Sequence, residues 1–432
     1  MKSLMIIVTI IVLALVFLIG FFMNYQDNES DVVDAGIFES PGADGTATDI
    51  LDEEGEEAQT DDIPFEEAVW EYRIDRAMGH PNCPPVPEIE YPVDYYKGRL
   101  IDSHFHIANL PDSSPGDEEG EEVFYSAYFG EDNNENNEDG DNDEEEQENE
   151  VMPLLGKNIK ISDIVCTLEH EGTDKVFAFF PVYPDIPAQM VEVVKRTMDL
   201  YPEKFVPFIM APDSDNSPGG LSTVKSSVLT NMLSIYPGLF KGFGEIGLYP
   251  KEGGSRELPP DDPVLRDIYP VVRENKLAVY FHPGENMEDN FEIVLKENPD
   301  INFIVHGEQI EKPDEIGALM KKYLNIYFTV NDLYGDKYLL HTQGSTEDFL
   351  EALDNYEPLL KKDLATWQKL IEEHPNQFMW GTDRGGIAVW TLDREVGKKI
   401  TDYGRTFIGK LNPTVRERFA YKNALRAMGE EV

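Results

Sequence analysis

Eight short apolar runs, separated by helix-length amphipathic stretches, constrain this chain more than any other feature. The runs span residues 100–103, 176–182, 205–211, 240–248, 277–281, 301–305, 326–330 and 378–381. Helical patterns fall between them at 161–168, 188–201, 221–236, 263–275, 291–298, 314–323, 346–373 and 393–408. Strands separated by helices of this length pair in parallel, because the chain must cross back over the sheet before the next strand begins. Eight such units in about 310 residues predict an α/β fold, a (β/α)8 TIM barrel with insertions. A doubly wound open sheet is the competing architecture, but nothing resembles a Gly-rich dinucleotide loop. Residues 413–428 add a terminal helix that would pack against the barrel.

The ends of these runs carry the chemistry. In Ile101-Asp102-Ser103-His104-Phe105-His106, the two histidines stand at i and i+2, on one face of a strand. His282 and His306 sit just past the fifth and sixth runs, Glu245 near the end of the fourth, and Asp383 after the last. In a parallel barrel, strand ends of this polarity converge on one mouth. Imidazole nitrogen and carboxylate oxygen are the ligands that zinc or a similar divalent ion takes. Each residue alone has an ordinary alternative, such as a helix cap after Phe281 or a strand-to-helix N-cap at Asp383. Six residues of metal-ligand type at the ends of strands 1, 4, 5, 6 and 8 point jointly to one site. His80, His170, His341 and His374 fall in loops or helices and are assigned no role.

The net charge of −48 is unevenly spread. Residues 27–71 hold 17 acidic residues and residues 112–150 hold 18, with no Lys or Arg in either tract. Without these, about −13 remains, a moderately acidic globular protein. Such a field repels polyphosphate, so a small-molecule substrate is expected and nucleic acid is not. Residues 4–23 form an unbroken uncharged apolar run, long enough to span a bilayer core of about 30 Å. Lys2 precedes it and no small-x-small cleavage site follows, so residues 1–25 are expected to be a membrane signal anchor with the rest extracytoplasmic. A long cleaved signal, and hence secretion, is the alternative. Residues 26–62 read as an acidic disordered tether. Residues 63–98 form an N-terminal extension, with a short helix near 64–78 that places Phe65, Val69 and Tyr72 on one side and stops at Gly79. The barrel then occupies 99–428, with an acidic insertion at 112–150 whose composition favours disorder. Only two cysteines are present, Cys83 and Cys166. They can pair outside the cell, but a buried free thiol at Cys166 is the expectation. Oligomeric state is not readable.

Taken together, the motifs resemble the amidohydrolase superfamily, in its amidohydrolase-related branch. The matching pieces are residues 101–106, Gly244-Glu245-Ile246-Gly247, Tyr280-Phe281-His282-Pro283-Gly284, Val305-His306-Gly307 and Gly381-Thr382-Asp383. Residues 262–277 and 418–424 also resemble that branch, and the likeness covers roughly 99–428. The resemblance implies a metal-dependent hydrolase that binds one or two divalent ions, with zinc expected. It implies His104, His106, His282 and Asp383 as ligands. It also implies Glu245 as a bridge in a binuclear centre, as in TatD-like relatives, and His306 as a second-metal ligand or a group that polarises the substrate. Asp383 would take the proton of an activated water, and the bond cleaved would be an amide, ester, lactone or phosphoester. Metal-dependent decarboxylases of aromatic or unsaturated acids share the motif set, a TatD-like nuclease is a further alternative, and an inactive metal-binding barrel is the non-enzyme alternative.

The chain departs from the branch at Asp383-Arg384-Gly385-Gly386, where Pro or a small residue usually follows the Asp. Arg384 could hold a substrate carboxylate or phosphate, or pair with an acid at the rim. Tyr183, Asp213, Tyr249, Asn331 and Asp332 follow strands 2, 3, 4 and 7 and are candidate pocket residues, or equally caps and turns.

Overall fold

The computed structural model describes residues 65–80, 82–86, 94–107, 160–184, 186–210, 220–250, 255–307, 313–331, 333, 346–385 and 389–430. The expected anchor, the tether and the 112–150 insertion lie outside the described residues, as do Asp213 and Asp332. Among the described residues, no helix is long and apolar enough to cross a membrane.

Eight strands form one parallel sheet in sequence order: β1 (Ile101–His106), β2 (Lys175–Pro181), β3 (Phe205–Met210), β4 (Gly242–Gly247), β5 (Ala278–His282), β6 (Phe303–Val305), β7 (Ile326–Val330) and β8 (Phe378–Trp380). Just past β8 the chain returns to β1. Asp383 N donates to the His104 carbonyl at 2.9 Å, and His106 N donates to that of Arg384 at 2.8 Å. These bonds bring the two edges together into a nearly closed α/β barrel, as the alternation of elements predicts.

Helices α1 (Phe65–Met78), α2 (Ile161–Glu171), α3 (Pro187–Leu200), α4 (Ser226–Ile235), α5 (Pro263–Glu274), α6 (Glu288–Glu297), α7 (Pro313–Lys322), α8 (Thr346–Asp354), α9 (Glu357–Glu373) and α10 (Arg394–Lys410) accompany the strands. The single helix expected over 346–373 is two, because Pro358 is tolerated only in a first helical turn and starts α9 afresh. Among the described side chains of α1, Arg73, Ile74, Ala77 and Met78 are buried while Tyr72 is exposed, so Tyr72 is not on the buried side. Cys83 and Cys166 form a disulfide that ties the N-terminal extension to α2, which replaces the expected free thiol. Closing a loop of 83 residues removes unfolded-chain entropy equivalent to about 4–5 kcal/mol in the chain-entropy model.

Two cores follow from strand alternation. Val279 and Phe281, Phe303 and Val305, Phe328 and Val330, and Phe378 and Trp380 point out toward the helices. Phe177, Phe179, Phe208, Tyr280, Ile304, Tyr327 and Met379 fill the barrel interior, where each buried aromatic contributes about 1.5–3 kcal/mol. Ala424, Leu425 and Ala427 join this inner cluster. They lie on the C-terminal helical segment, where Asn423 donates to the Phe378 carbonyl at 2.8 Å and Asn302 to that of Ala427 at 2.9 Å. That segment therefore plugs the barrel at the N-terminal ends of its strands, opposite the end that carries the ligand-type residues.

Alternation also explains how those residues reach the interior. On β5 to β8 it runs unbroken, so Tyr280 and His282, Ile304 and His306, Tyr327 and Asn331, and Met379 and Asp383 share the inward parity. On β1 it breaks. Ile101 faces inward and Phe105 outward, and the register with β2 slips between Asp102 and Phe105. The bulge turns His104 and His106 into the barrel. On β4 the register slips between Phe243 and Ile246, both of which face outward, and Glu245 between them is turned inward in the same way.

Candidate metal centre

Four ligand atoms from three strand ends converge at the barrel mouth. His104 Nε2 lies 3.1 Å from His106 Nε2, 3.2 Å from Glu245 Oε2 and 3.1 Å from Asp383 Oδ1. His106 Nε2 lies 3.2 Å from each of the same two oxygens. Neighbouring ligands stand about 1.6 radii apart on a tetrahedron and about 1.4 on an octahedron. Separations of 3.1–3.2 Å thus put a common centre about 1.9–2.3 Å from each atom, which brackets zinc bonds of about 2.0–2.2 Å. Two imidazoles and two carboxylates with this spacing fit a divalent transition ion by chemistry and by size.

Glu245 faces a second group with its other oxygen. Oε1 lies 2.6 Å from His306 Nε2 and 3.0 Å from His282 Nδ1. His104, His106, Glu245 and Asp383 thus make one potential ligand set, and Glu245, His282 and His306 another. His282 was expected beside the first-strand pair, and it stands instead across Glu245 from them. Its Nε2 is buried with no hydrogen-bond partner.

Asn331, at the end of β7, joins the two sets. Its amide nitrogen lies 2.9 Å from Asp383 Oδ2 and 3.1 Å from His306 Nδ1. An amide nitrogen only donates, so Nδ1 accepts and the His306 proton sits on Nε2, directed at Glu245 Oε1. The protonation states follow from the crowding. Burial opposes a charge on His106, but its hydrogen bonds to Asp383 and Glu245 outweigh burial and lift its pKa to about 10. Burial, with the nearby His104, lowers His306 to about 3 and keeps it neutral. Burial would raise Glu245, yet the His306 and His104 imidazoles hold it well below the usual carboxylate range.

Aromatic side chains form the floor. The Phe179 ring lies 5.0 Å from that of His104 and 5.3 Å from that of His106, and Tyr280 lies 5.1 Å from His104 and 5.4 Å from His306. Among the candidate pocket residues, Tyr249 stands edge-on to His282 at 4.7 Å, whereas Tyr183 is buried in the outer core. Arg384 does not face a substrate. Its guanidinium is fully buried and paired with Glu171 through both nitrogens, at 2.7 and 2.6 Å. The second reading of Arg384, pairing with an acid, is the one the structure shows, though the pair is buried; the sequence reading missed Asp102, Thr382 and Glu171, which with Arg384 brace the strands behind the ligands. Asp102 and Thr382 were within the quoted motifs, but nothing in the spacing of Glu171 signalled a role.

A parallel barrel whose open mouth gathers a ring of imidazole and carboxylate ligands defines a class, the metal-site TIM barrels. No family model and no curated protein matches the chain. The solved structures similar to it include proteins described as amidohydrolases, a hydratase, decarboxylases and an uncharacterised TIM-barrel protein, a likeness of fold. One is 4-oxalomesaconate hydratase from Rhodopseudomonas palustris, 16% identical, covering 76% of this chain and 95% of that one with a TM-score of 0.45. A second is an amidohydrolase from Burkholderia multivorans with bound zinc, 10% identical, covering 77% and 100% with a TM-score of 0.45. A third is 5-carboxyvanillate decarboxylase from Novosphingobium aromaticivorans complexed with manganese, 9% identical, covering 78% and 97% with a TM-score of 0.42. Their activities differ from one another, so the reaction of this chain is argued from the geometry of its own site.

Proposed function

We propose that this chain is a metal-dependent hydrolase acting on an amide, ester, lactone or phosphoester bond of a small molecule. The observation that carries the reading is the placement of Asp383. One of its oxygens belongs to the ligand cage, and the other is held by the Asn331 amide at 2.9 Å. A divalent ion at His104, His106, Glu245 and Asp383, with zinc the first candidate by donor chemistry, would lower the pKa of a bound water from about 15.7 to roughly 7. Asp383 is positioned to accept the proton of that water and return it to the leaving group. Asn331 keeps the carboxylate oriented while the proton moves. His306, neutral and with its proton on Nε2, donates to Glu245 Oε1 and so steadies the carboxylate shared by both ligand groups. A ligand cage for the ion and an oriented carboxylate base beside it support metal-assisted hydrolysis.

The test is purified, metal-loaded protein on lactones, amides, esters, phosphoesters and aromatic carboxylates. Hydrolysis of at least one class is expected. Carbon dioxide release from an aromatic acid without any hydrolysis would replace the hydrolase by a decarboxylase, and degradation of DNA would favour a nuclease. We also propose that residues 1–25 anchor the chain in a membrane with the barrel outside the cytoplasm. The uncharged apolar run and the Cys83–Cys166 disulfide, a bond that persists in oxidising compartments, both support this. Protein recovered in the medium without its first 25 or so residues would point to secretion after signal cleavage instead.

A further inference from the structure

We propose that the buried Glu171–Arg384 ion pair, acting with Thr382 and Asp102, is a positioning device that holds Asp383 in its ligand conformation and sets the affinity of the first ligand group. The inference rests on the metal-centre reading and extends it to residues that touch no ligand atom.

Asp383 has φ = +56°, in the left-handed region that L-residues other than glycine seldom enter. A residue persists there when its surroundings over-determine it, and such residues cluster at functional sites. Both neighbours of Asp383 are fixed. On one side, Thr382 N donates to Asp102 Oδ1 at 2.9 Å and its hydroxyl to Asp102 Oδ2 at 2.5 Å. On the other, the Arg384 carbonyl accepts from His106 N at 2.8 Å while its side chain is clamped by Glu171.

The two sides are also joined to each other. Arg384 Nε donates to the Thr382 hydroxyl at 3.2 Å, and Asp102 Oδ1 accepts from His104 N at 3.0 Å. One chain of hydrogen bonds thus runs from Glu171 through Arg384, Thr382 and Asp102 to the backbone of the ligand His104. Thr173 completes the Glu171 carboxylate with a bond of 2.7 Å. Asp102, His104, Thr382 and Arg384 are wholly inaccessible to solvent, and Glu171 nearly so.

A buried ion pair is a poor source of stability, because desolvation offsets most of the attraction and apolar replacement of both partners is often neutral. What this pair does supply is geometry. It fastens the segment after β8 to the end of α2, 213 residues away in sequence, at the point where the backbone must turn the Asp383 carboxylate toward His104 and His106.

The experiment replaces the pair by apolar side chains in the double variant Glu171→Met/Arg384→Met. It reads zinc affinity against a chromophoric chelator, alongside thermal unfolding of the zinc-free protein. Removing partners that orient ligands typically lowers metal affinity about 10–100-fold. The expectation is a loss of that size for the first zinc equivalent, with zinc-free unfolding close to that of the wild type. Wild-type affinity in a folded double variant overturns the proposal. If the double variant does not fold, Thr382→Val decides the matter, since it cuts the same chain at its central hydroxyl with little change in shape. An unchanged affinity there has the same consequence. A wild type that binds less than one ion per chain would instead overturn the metal-centre reading, and the proposal with it.

Discussion

The two ligand groups that share Glu245 are built differently. On the β1 and β8 side, His104 is fully buried between aromatic rings, and its backbone is tied through Asp102 to the segment that bears Asp383. Its four ligand atoms already stand at bonding separations from a common centre. On the β5 and β6 side, the His282 side chain is 18% exposed and its Nε2 has no hydrogen-bond partner. His306 there holds a proton on the nitrogen that faces Glu245, because Asn331 occupies the other nitrogen. Each group must give up a proton before it can hold an ion, His106 in the first and His306 in the second, but only the first gathers four ligand atoms around one point. The difference assigns a tight site to the first group and a weaker, exchangeable site or a substrate-facing role to the second.

The largest effect is expected at the shared residue. Glu245→Ala takes an oxygen from both groups, so bound zinc should fall by at least one ion per chain and activity by about 10³-fold or more, the scale seen when a major electrostatic element is removed. Elemental analysis of the purified variant measures the first quantity directly. If Glu245→Ala binds as many ions as the wild type, the bridging position of Glu245 has no functional meaning.

The comparison itself is tested by a pair of variants. His104→Ala should abolish the tight ion. His282→Ala should keep that ion and affect only the metal bound at excess zinc, with activity lowered about 10–100-fold. Stoichiometric zinc titration distinguishes them. Equal loss of the tight ion in both variants would mean that the seven side-chain atoms form one site rather than two unequal ones.

Much of the barrel was legible because strand alternation is a local signal. Val279 and Phe281 alternate with Tyr280 and His282, so the spelling of β5 places its histidine inside. The unbroken strands β5 to β8 were all readable in this way. The two bulges were not. Nothing in the residues 101–106 says that Phe105 and Ile101 face opposite sides, since that depends on a register slip against β2. The candidate ligands could be singled out anyway, because their residue types recur at strand ends, and the structure brings them together at one mouth. The bracing residues were not found, because each is polar, buried and satisfied only by a partner far away in sequence. Glu171 and Arg384 are the clearest instance: pairing of Arg384 with an acid was one of its two readings, but which acid depends on the end of α2. The break between α8 and α9 was legible in Pro358 and was overlooked in favour of the longer amphipathic pattern.

The smallest effect separates the two groups most cleanly. Tyr249 meets His282, a residue of the second group, edge-on at 4.7 Å. An aromatic pair of this kind contributes about 0.5–1.5 kcal/mol beyond its buried area, equivalent to about 2–10-fold in an equilibrium constant. Tyr249→Ala should therefore weaken the second zinc equivalent by about that factor and leave the first unchanged. Tyr249→Phe keeps the ring and should restore the second equivalent, which would assign the effect to packing rather than to the hydroxyl. A change confined to the first equivalent would show that the second group supports the first, and the order of preparation argued from Asp102 and Asn331 would have to be reversed.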